Sequence, residues 1–156
     1  MRRLFSVISI LLLTACAGAE PRERPRPEIT ATAVFAAGCF WCVEQAFEQT
    51  PGVVEAVSGY TGGTTNNPTY EQVTRGGTGH YEAVRVVYDP AVIDYTQLLD
   101  VFWKNVDPFD ATGQFCDKGR SYLGAIFPAT PEETAAAEAS KQAVARQFNR
   151  AVEVRI

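Results

Sequence analysis

The segment Gly38-Cys39-Phe40-Trp41-Cys42 sets two thiols three positions apart with two aromatic side chains between them. From Cys42 to Gln49, Val43, Ala46 and Phe47 recur at helical spacing and Pro51-Gly52 ends the element, so Cys39 falls just before or at a helix N-terminus. The helix dipole and the free N–H groups there favour thiolate over thiol at Cys39 and raise its nucleophilicity at neutral pH. Cys42 is close enough to form a disulfide once Cys39 has been oxidised. Phe40 and Trp41 can wall off a small apolar group such as a methyl. The plain alternative is two buried cysteines beside two core aromatics, because free cysteine often behaves as a small hydrophobe.

The elements that must position this segment alternate along the chain. Ile29 to Ala36 is rich in β-branched and small apolar residues and runs into Ala37-Gly38, as a buried strand feeding a turn does. Val53 to Tyr60 reads as a second strand, and Thr61 to Pro68 is a loop by composition, long enough to carry function. Tyr81 to Tyr88 is a strand closed by Asp89-Pro90, and Tyr95 to Asn105 is a helix carrying Leu98, Leu99, Phe102 and Trp103. Val106 to Arg120 is polar and turn-rich, and Tyr122 to Phe127 is a short strand. Pro131 to Phe148 is an Ala-rich helix with Thr130 as N-cap, and Val152 to Ile156 begins another strand. Without a Rossmann glycine fingerprint, the alternation predicts an α+β two-layer sandwich: a mixed or antiparallel sheet covered by helices, with a ferredoxin-like core.

Composition narrows the function classes. Of the 156 residues, 46% are hydrophobic and 21% charged, which excludes a disordered or multi-span main body. The formal charge is −4 and the basic residues are scattered apart from the first 26 positions, so nucleic-acid binding has no footprint. Nothing calls for a cofactor, and the chain reads as a monomer of one folded domain over 29–156.

The front of the chain reads as an address. Met1-Arg2-Arg3, the apolar run Leu4 to Leu13 and Leu13-Thr14-Ala15-Cys16 have the layout of a secretory signal over 1–16. The Cys after Leu-Thr-Ala resembles a bacterial lipobox, in which Cys16 is lipidated; the alternative is a plain signal peptide. Residues 17–28 follow as a Pro-rich tether that cannot contribute a buried face. With no Asp at position 17, lipoprotein sorting rules imply the periplasmic face of the outer membrane.

Together with the thiol segment, five further stretches occur in an order that resembles one family. They are Gly59-Tyr60-Thr61-Gly62-Gly63, Asn67-Pro68-Thr69-Tyr70, Gly79-His80-Tyr81-Glu82-Ala83-Val84, Val87-Tyr88-Asp89-Pro90 and Phe102-Trp103. From about Ala33 to Thr130 the chain is similar to the A-type peptide-methionine sulfoxide reductases. The resemblance implies Cys39 as nucleophile, Glu82 as acid, Tyr70 and Tyr122 as binders of the sulfoxide oxygen, and Phe40 and Trp41 as the receptors of the methyl. It implies action on the S epimer and electrons from thioredoxin or a thioredoxin-like protein. A sulfoxide is a poor electrophile until its oxygen is protonated, so a thiolate attacking sulfur needs a proton donor held opposite it. Glu82 can donate only if burial raises its pKa; the bare sequence otherwise suggests a solvated strand carboxylate. Attack would leave a sulfenic acid on Cys39, which a second thiol condenses with. Cys42 is the nearer and preferred candidate, and Cys116 its rival. Asp117 is expected to hydrogen-bond the tyrosines or Cys39, or else to cap the turn at Gly119.

Three departures from the family pattern stand out. Cys116 precedes Asp117 where many members have Asn, Leu123-Gly124 follows Tyr122 where Arg-Ser is common, and the chain stops before a Tyr-His-Gln segment found in relatives. The mature domain is thus expected to be short at its C-terminus. Other classes remain on the table. An envelope thiol-disulfide oxidoreductase would use Cys39 and Cys42 as a C-x-x-C pair. A structural zinc site could draw on Cys39, Cys42, Cys116 and His80, the only histidine. An inert envelope-binding lipoprotein would tolerate loss of Cys39.

Overall fold

A computed structural model describes residues 27–156. The leader with Cys16, and the tether except its last two residues, lie outside the described residues. Strand β1 (Ala31–Ala37) presents Ala33, Phe35 and Ala37 to one side at the period of two. Helix α1 (Phe40–Glu48) folds back over that side with Phe40, Val43 and Phe47. Strand β2 (Val53–Thr61) leads through a loop and the short helix α2 (Tyr70–Arg75) to strand β3 (Tyr81–Tyr88). Helix α3 (Tyr95–Lys104) is followed by a small hairpin of β4 (Gly113–Gln114) and β5 (Asp117–Lys118). A 3-10 turn at Arg120–Tyr122, strand β6 (Gly124–Ile126) and helix α4 (Pro131–Phe148) complete the order.

The main sheet runs β2-β3-β1-β6 with every neighbouring pair antiparallel. Arg155 adds one parallel bridge beside Ala125, so the β6 edge is mixed. This is the expected α+β sandwich with ferredoxin-like strand order. Its core centres on Phe35, whose ring stacks on Phe47 at 5.1 Å, on Phe102 at 5.6 Å and on Tyr95 at 6.1 Å. One residue of β1 therefore ties α1 and α3 to the sheet. On the opposite side, Ala36, Tyr81, Ala83 and Ala125 form a smaller cluster.

Several boundaries differ from the sequence reading for local reasons. Helix α1 starts at Phe40, two residues early, which makes Cys39 its N-cap. Helix α2 was not anticipated, although Thr69 and Gln72 form a reciprocal capping box that signals it. The strand expected from Tyr122 begins only at Gly124, because Tyr122 closes the 3-10 turn. The strand expected over 152–156 is reduced to one bridge at Arg155. There Arg155 donates to the Gly124 carbonyl at 3.1 Å and accepts from the Ile126 N–H at 2.9 Å, while the Glu153 N–H goes to the Pro108 carbonyl at 2.8 Å.

Replacing Phe35 by Ala removes the ring on which three others stack and is expected to lower stability by about 3–5 kcal/mol. A denaturant midpoint unchanged from the parent protein would show that Phe35 is not the packing centre.

Candidate active site

The turn from β1 into α1 carries the first thiol, and it is shaped by Gly38. At φ +84 this residue sits in the left-handed region, and a Cβ there would lie 2.5 Å from the Cβ of Gln114. Gln114 is buried, and its amide is anchored twice on Asp107: Oε1 accepts from the backbone N–H at 2.7 Å and Nε2 donates to the carbonyl at 3.0 Å. The β4–β5 hairpin is thereby pressed against the Cys39 turn. Cys39 is partly buried, and its carbonyl accepts from the N–H of Cys42 at 3.2 Å and of Val43 at 3.4 Å. Its side chain makes no capping bond to the helix.

Glu82 comes to the same place by strand parity. It lies on β3 in phase with Val84, Val86 and Tyr88, which face the helices, and it is only 2% exposed. The backbone N–H of Phe40, the residue next to Cys39, donates to Oε2 at 3.2 Å. The other oxygen, Oε1, is buried without a partner in the protein. Burial pushes the Glu82 carboxyl above the usual carboxylate range, the negative charge of Asp117 adds to this, and the Phe40 N–H opposes it. The solvated carboxylate suggested by the bare sequence is therefore not what the fold makes; its parity with Val84 and Val86 was the overlooked signal.

Aromatic rings close over these groups. Phe40 is buried and meets Trp41 at 5.5 Å, Tyr60 at 5.6 Å and Tyr70 at 6.5 Å, while Trp41 lies over Tyr70 at 6.3 Å with planes 14° apart. Trp41 is 65% exposed, so it forms the rim and Phe40 the floor. Tyr122 stands within reach of the same charges: burial first, then Glu82, Tyr70 and Asp117, push its phenol up to about 12. The Tyr122 phenol thus stays protonated and able to donate at neutral pH. Tyr60 was given no role from the sequence, yet it pairs with Glu82 across β2 and β3, and burial followed by Glu82 raises its phenol as well. Register was the signal, since the strand pairing that places Glu82 places Tyr60 beside it.

The remaining sequence candidates separate. Cys42 is exposed, and its thiol is held protonated first by a hydrogen bond to Cys39 and then by that neighbour's charge. Cys116 is exposed at the tip of the β4–β5 hairpin. Asp117, expected to hydrogen-bond the tyrosines or Cys39, is exposed on β5 and reaches Cys42, Glu82 and Tyr122 through its charge. His80 turns away onto the loop, with Nε2 2.8 Å from the Thr65 carbonyl. Among the described residues, no three His, Cys, Asp or Glu side chains are arranged to hold a metal ion.

A thiol at the N-cap of a helix, with the N–H of the next residue bonded to a buried carboxyl beneath aromatic rings, is an arrangement suited to thiol-based redox chemistry. The family model described as peptide methionine sulfoxide reductase matches residues 31–156, and the chain belongs to that family. It is 49% identical over 148 residues to peptide methionine sulfoxide reductase MsrA 2 of Caulobacter vibrioides, covering 95% of this chain and 74% of that protein. It is 61% identical over 108 residues to the MsrA of Klebsiella pneumoniae, covering 69% of this chain and 51% of that one. The chain thus spans about three quarters of the first relative and half of the second. Among solved structures, methionine sulfoxide reductase A of Corynebacterium diphtheriae superposes with a TM-score of 0.68 at 32% identity, over 80% of this chain and 62% of that one. Mxr1 of Saccharomyces cerevisiae, solved in complex with Trx2, shares the fold with a TM-score of 0.59 at 19% identity, over 84% and 77%.

Gly38→Ala introduces a methyl against Gln114 at a backbone angle that disfavours it, and is expected to cost about 1–3 kcal/mol. Urea unfolding measures this directly, and an unaltered midpoint would mean that the hairpin does not clamp the Cys39 turn.

Proposed function

We propose that this chain reduces the S epimer of methionine sulfoxide, free or in proteins, to methionine at the expense of its own thiols. The observation that carries the reading is the Glu82 carboxyl, sealed from water, tied by one oxygen to the residue after Cys39 and left with the other oxygen unpartnered. Such a group is protonated where an ordinary glutamate is ionised, and its free oxygen has a proton to give to a bound acceptor. Relatives bearing the name of this activity support the same reading.

In the proposed reaction the substrate methyl lies on Phe40 and Trp41, and the phenols of Tyr70 and Tyr122 hold the sulfoxide oxygen. Cys39, at the positive end of α1, attacks the substrate sulfur while Glu82 protonates the oxygen. The protonated oxygen then passes from the substrate sulfur to Cys39: the bond between the two sulfurs and the substrate sulfur–oxygen bond break, methionine leaves with the electron pair on its sulfur, and Cys39 is left as a sulfenic acid. The Cys42 thiol, three residues along the same helix start, then displaces that oxygen as water and forms a disulfide. Two electrons and two protons from a thioredoxin-like dithiol restore both thiols, so each turnover consumes two electrons and two protons and yields methionine and water. The pairing of yeast Mxr1 with Trx2 fits a reductant of that class. Cys116, on the neighbouring hairpin tip, is the other thiol that could resolve the sulfenic acid. The sequence before residue 27 supports export and a lipid anchor at Cys16 on the periplasmic face of the outer membrane, where the enzyme would repair envelope proteins.

Glu82→Gln keeps an acceptor for the Phe40 N–H but has no acid proton, so turnover should fall by about 10²–10⁴-fold with the fold intact. Because the folded carboxyl is shifted upward, its contribution to stability is full below the ordinary glutamate range and is lost as pH rises through the folded value. The variant should therefore be no less stable than the parent at neutral pH. Parent activity should decline on the alkaline side as Glu82 ionises, and that limb should vanish in the variant. Insulin reduction without sulfoxide reduction would instead identify a thiol-disulfide oxidoreductase.

Mass spectrometry after one turnover should show Cys39 linked to Cys42. In Cys42→Ser the first methionine should still form but multiple turnover should fail. A Cys39–Cys116 link would move the resolving role to the hairpin.

A further inference from the structure

We infer that Phe115 is a specificity-determining contact for the polypeptide around an oxidised methionine, which makes the site select methionine sulfoxide flanked by apolar residues over the free amino acid. This deepens the sulfoxide reductase reading and rests on it. Phe115 occupies the tip of the β4–β5 hairpin at φ +48 and is 70% exposed. A bulky side chain in the left-handed region is strained, and a phenyl ring left in water recovers nothing by burial. Glycine or asparagine would close the same turn without either cost. Strain of this kind at the edge of a reaction site points to a contact made only when substrate is present.

The position of that tip is fixed from both sides. The preceding residue, Gln114, is buried against Gly38 beside the nucleophile, and Asp117, two residues on, acts electrostatically on Cys42, Glu82 and Tyr122. The exposed aromatics packed around Phe40 are Trp41, at 65%, and Tyr70, at 44%. A pocket floored by Phe40 takes the thioether group, and whatever is attached to it must cross this rim. A free amino acid brings an ammonium and a carboxylate there, and aromatic faces compensate their lost water poorly. A peptide brings amides and neighbouring side chains, and an apolar neighbour covers the Phe115 ring.

The test compares the full chain with Phe115→Gly and Phe115→Leu, using dithiothreitol as reductant. The substrates are free methionine S-sulfoxide and the capped tripeptide of methionine S-sulfoxide between two leucines. The parent protein should prefer the tripeptide. Phe115→Gly should lower kcat/KM for the tripeptide about fivefold or more, the effect of losing one aromatic contact, and leave the free amino acid within about twofold. Phe115→Leu should regain most of the loss. Glycine is at ease at this φ, so the thermal midpoint should not fall. Equal loss on both substrates, or no loss on the tripeptide, overturns the inference. A loss confined to assays driven by thioredoxin also overturns it, by assigning the ring to the reductant. A parent protein inactive on both substrates overturns the reductase reading itself, and this inference with it.

Discussion

A single hydrogen bond, from the Phe40 N–H to Oε2 of Glu82, joins the start of α1 to the start of the inner strand β3, and the chemistry of the site follows from what that bond constrains. Neither partner can drift. Phe47 at the far end of α1 is stacked on Phe35 of β1, and β1 is paired along five residues with β3, which carries Glu82. A glutamate held inside a packed layer cannot reach water, and burying its charge unpaired would cost several kcal/mol, on the order of 3–5. Burial accordingly pushes the Glu82 carboxyl above the usual carboxylate range, toward its protonated form. The same bond uses only one of the two oxygens, and the other is buried without a partner in the protein.

Around this fixed point, the site grades from rigid to exposed. Gly38 and Gln114 clamp the turn before Cys39 against the β4–β5 hairpin, and the Gln114 amide is itself held by the Asp107 backbone. Phe40 is buried as a floor, while Trp41, Tyr70, Cys42 and Phe115 are open to solvent. The arrangement suits a reaction in which the acid and nucleophile must be placed accurately but the substrate's attachments and the reductant must come from outside. Cys42 belongs to the open side, so a disulfide formed there is within reach of a partner dithiol.

Where hydrophobic period and turn chemistry were strong, the sequence was legible. Tyr81–Tyr88 and Pro131–Phe148 fall where the strand-like run and the Thr130-Pro131 start place them, and the sheet covered by helices is the layer arrangement that the alternation of elements implies. The site was legible chiefly through motif resemblance. Burial of Glu82 was also available from parity with Val84 and Val86, but one carboxylate in a strand is usually solvated and the bare reading deferred to that expectation. The place of Tyr60 beside Glu82 depends on the β2–β3 register, which is a tertiary property and not a local pattern. The Gly38–Gln114 contact is likewise non-local, and no local pattern marks Gln114 as a buried clamp. The strand expected at 152–156 shortens to the Arg155 bridge beside β6, with the Glu153 N–H spent on Pro108, a partner that no periodicity reveals.

The most direct measurement is the protonation state of Glu82 itself, read from the infrared difference spectrum between the parent protein and Glu82→Gln as pH is varied. The account requires a protonated carboxyl band, present in the parent and absent from the variant, to persist at pH values where a free glutamate is fully ionised. A spectrum showing Glu82 as an ordinary carboxylate throughout that range would contradict it, because no proton would then be held opposite Cys39.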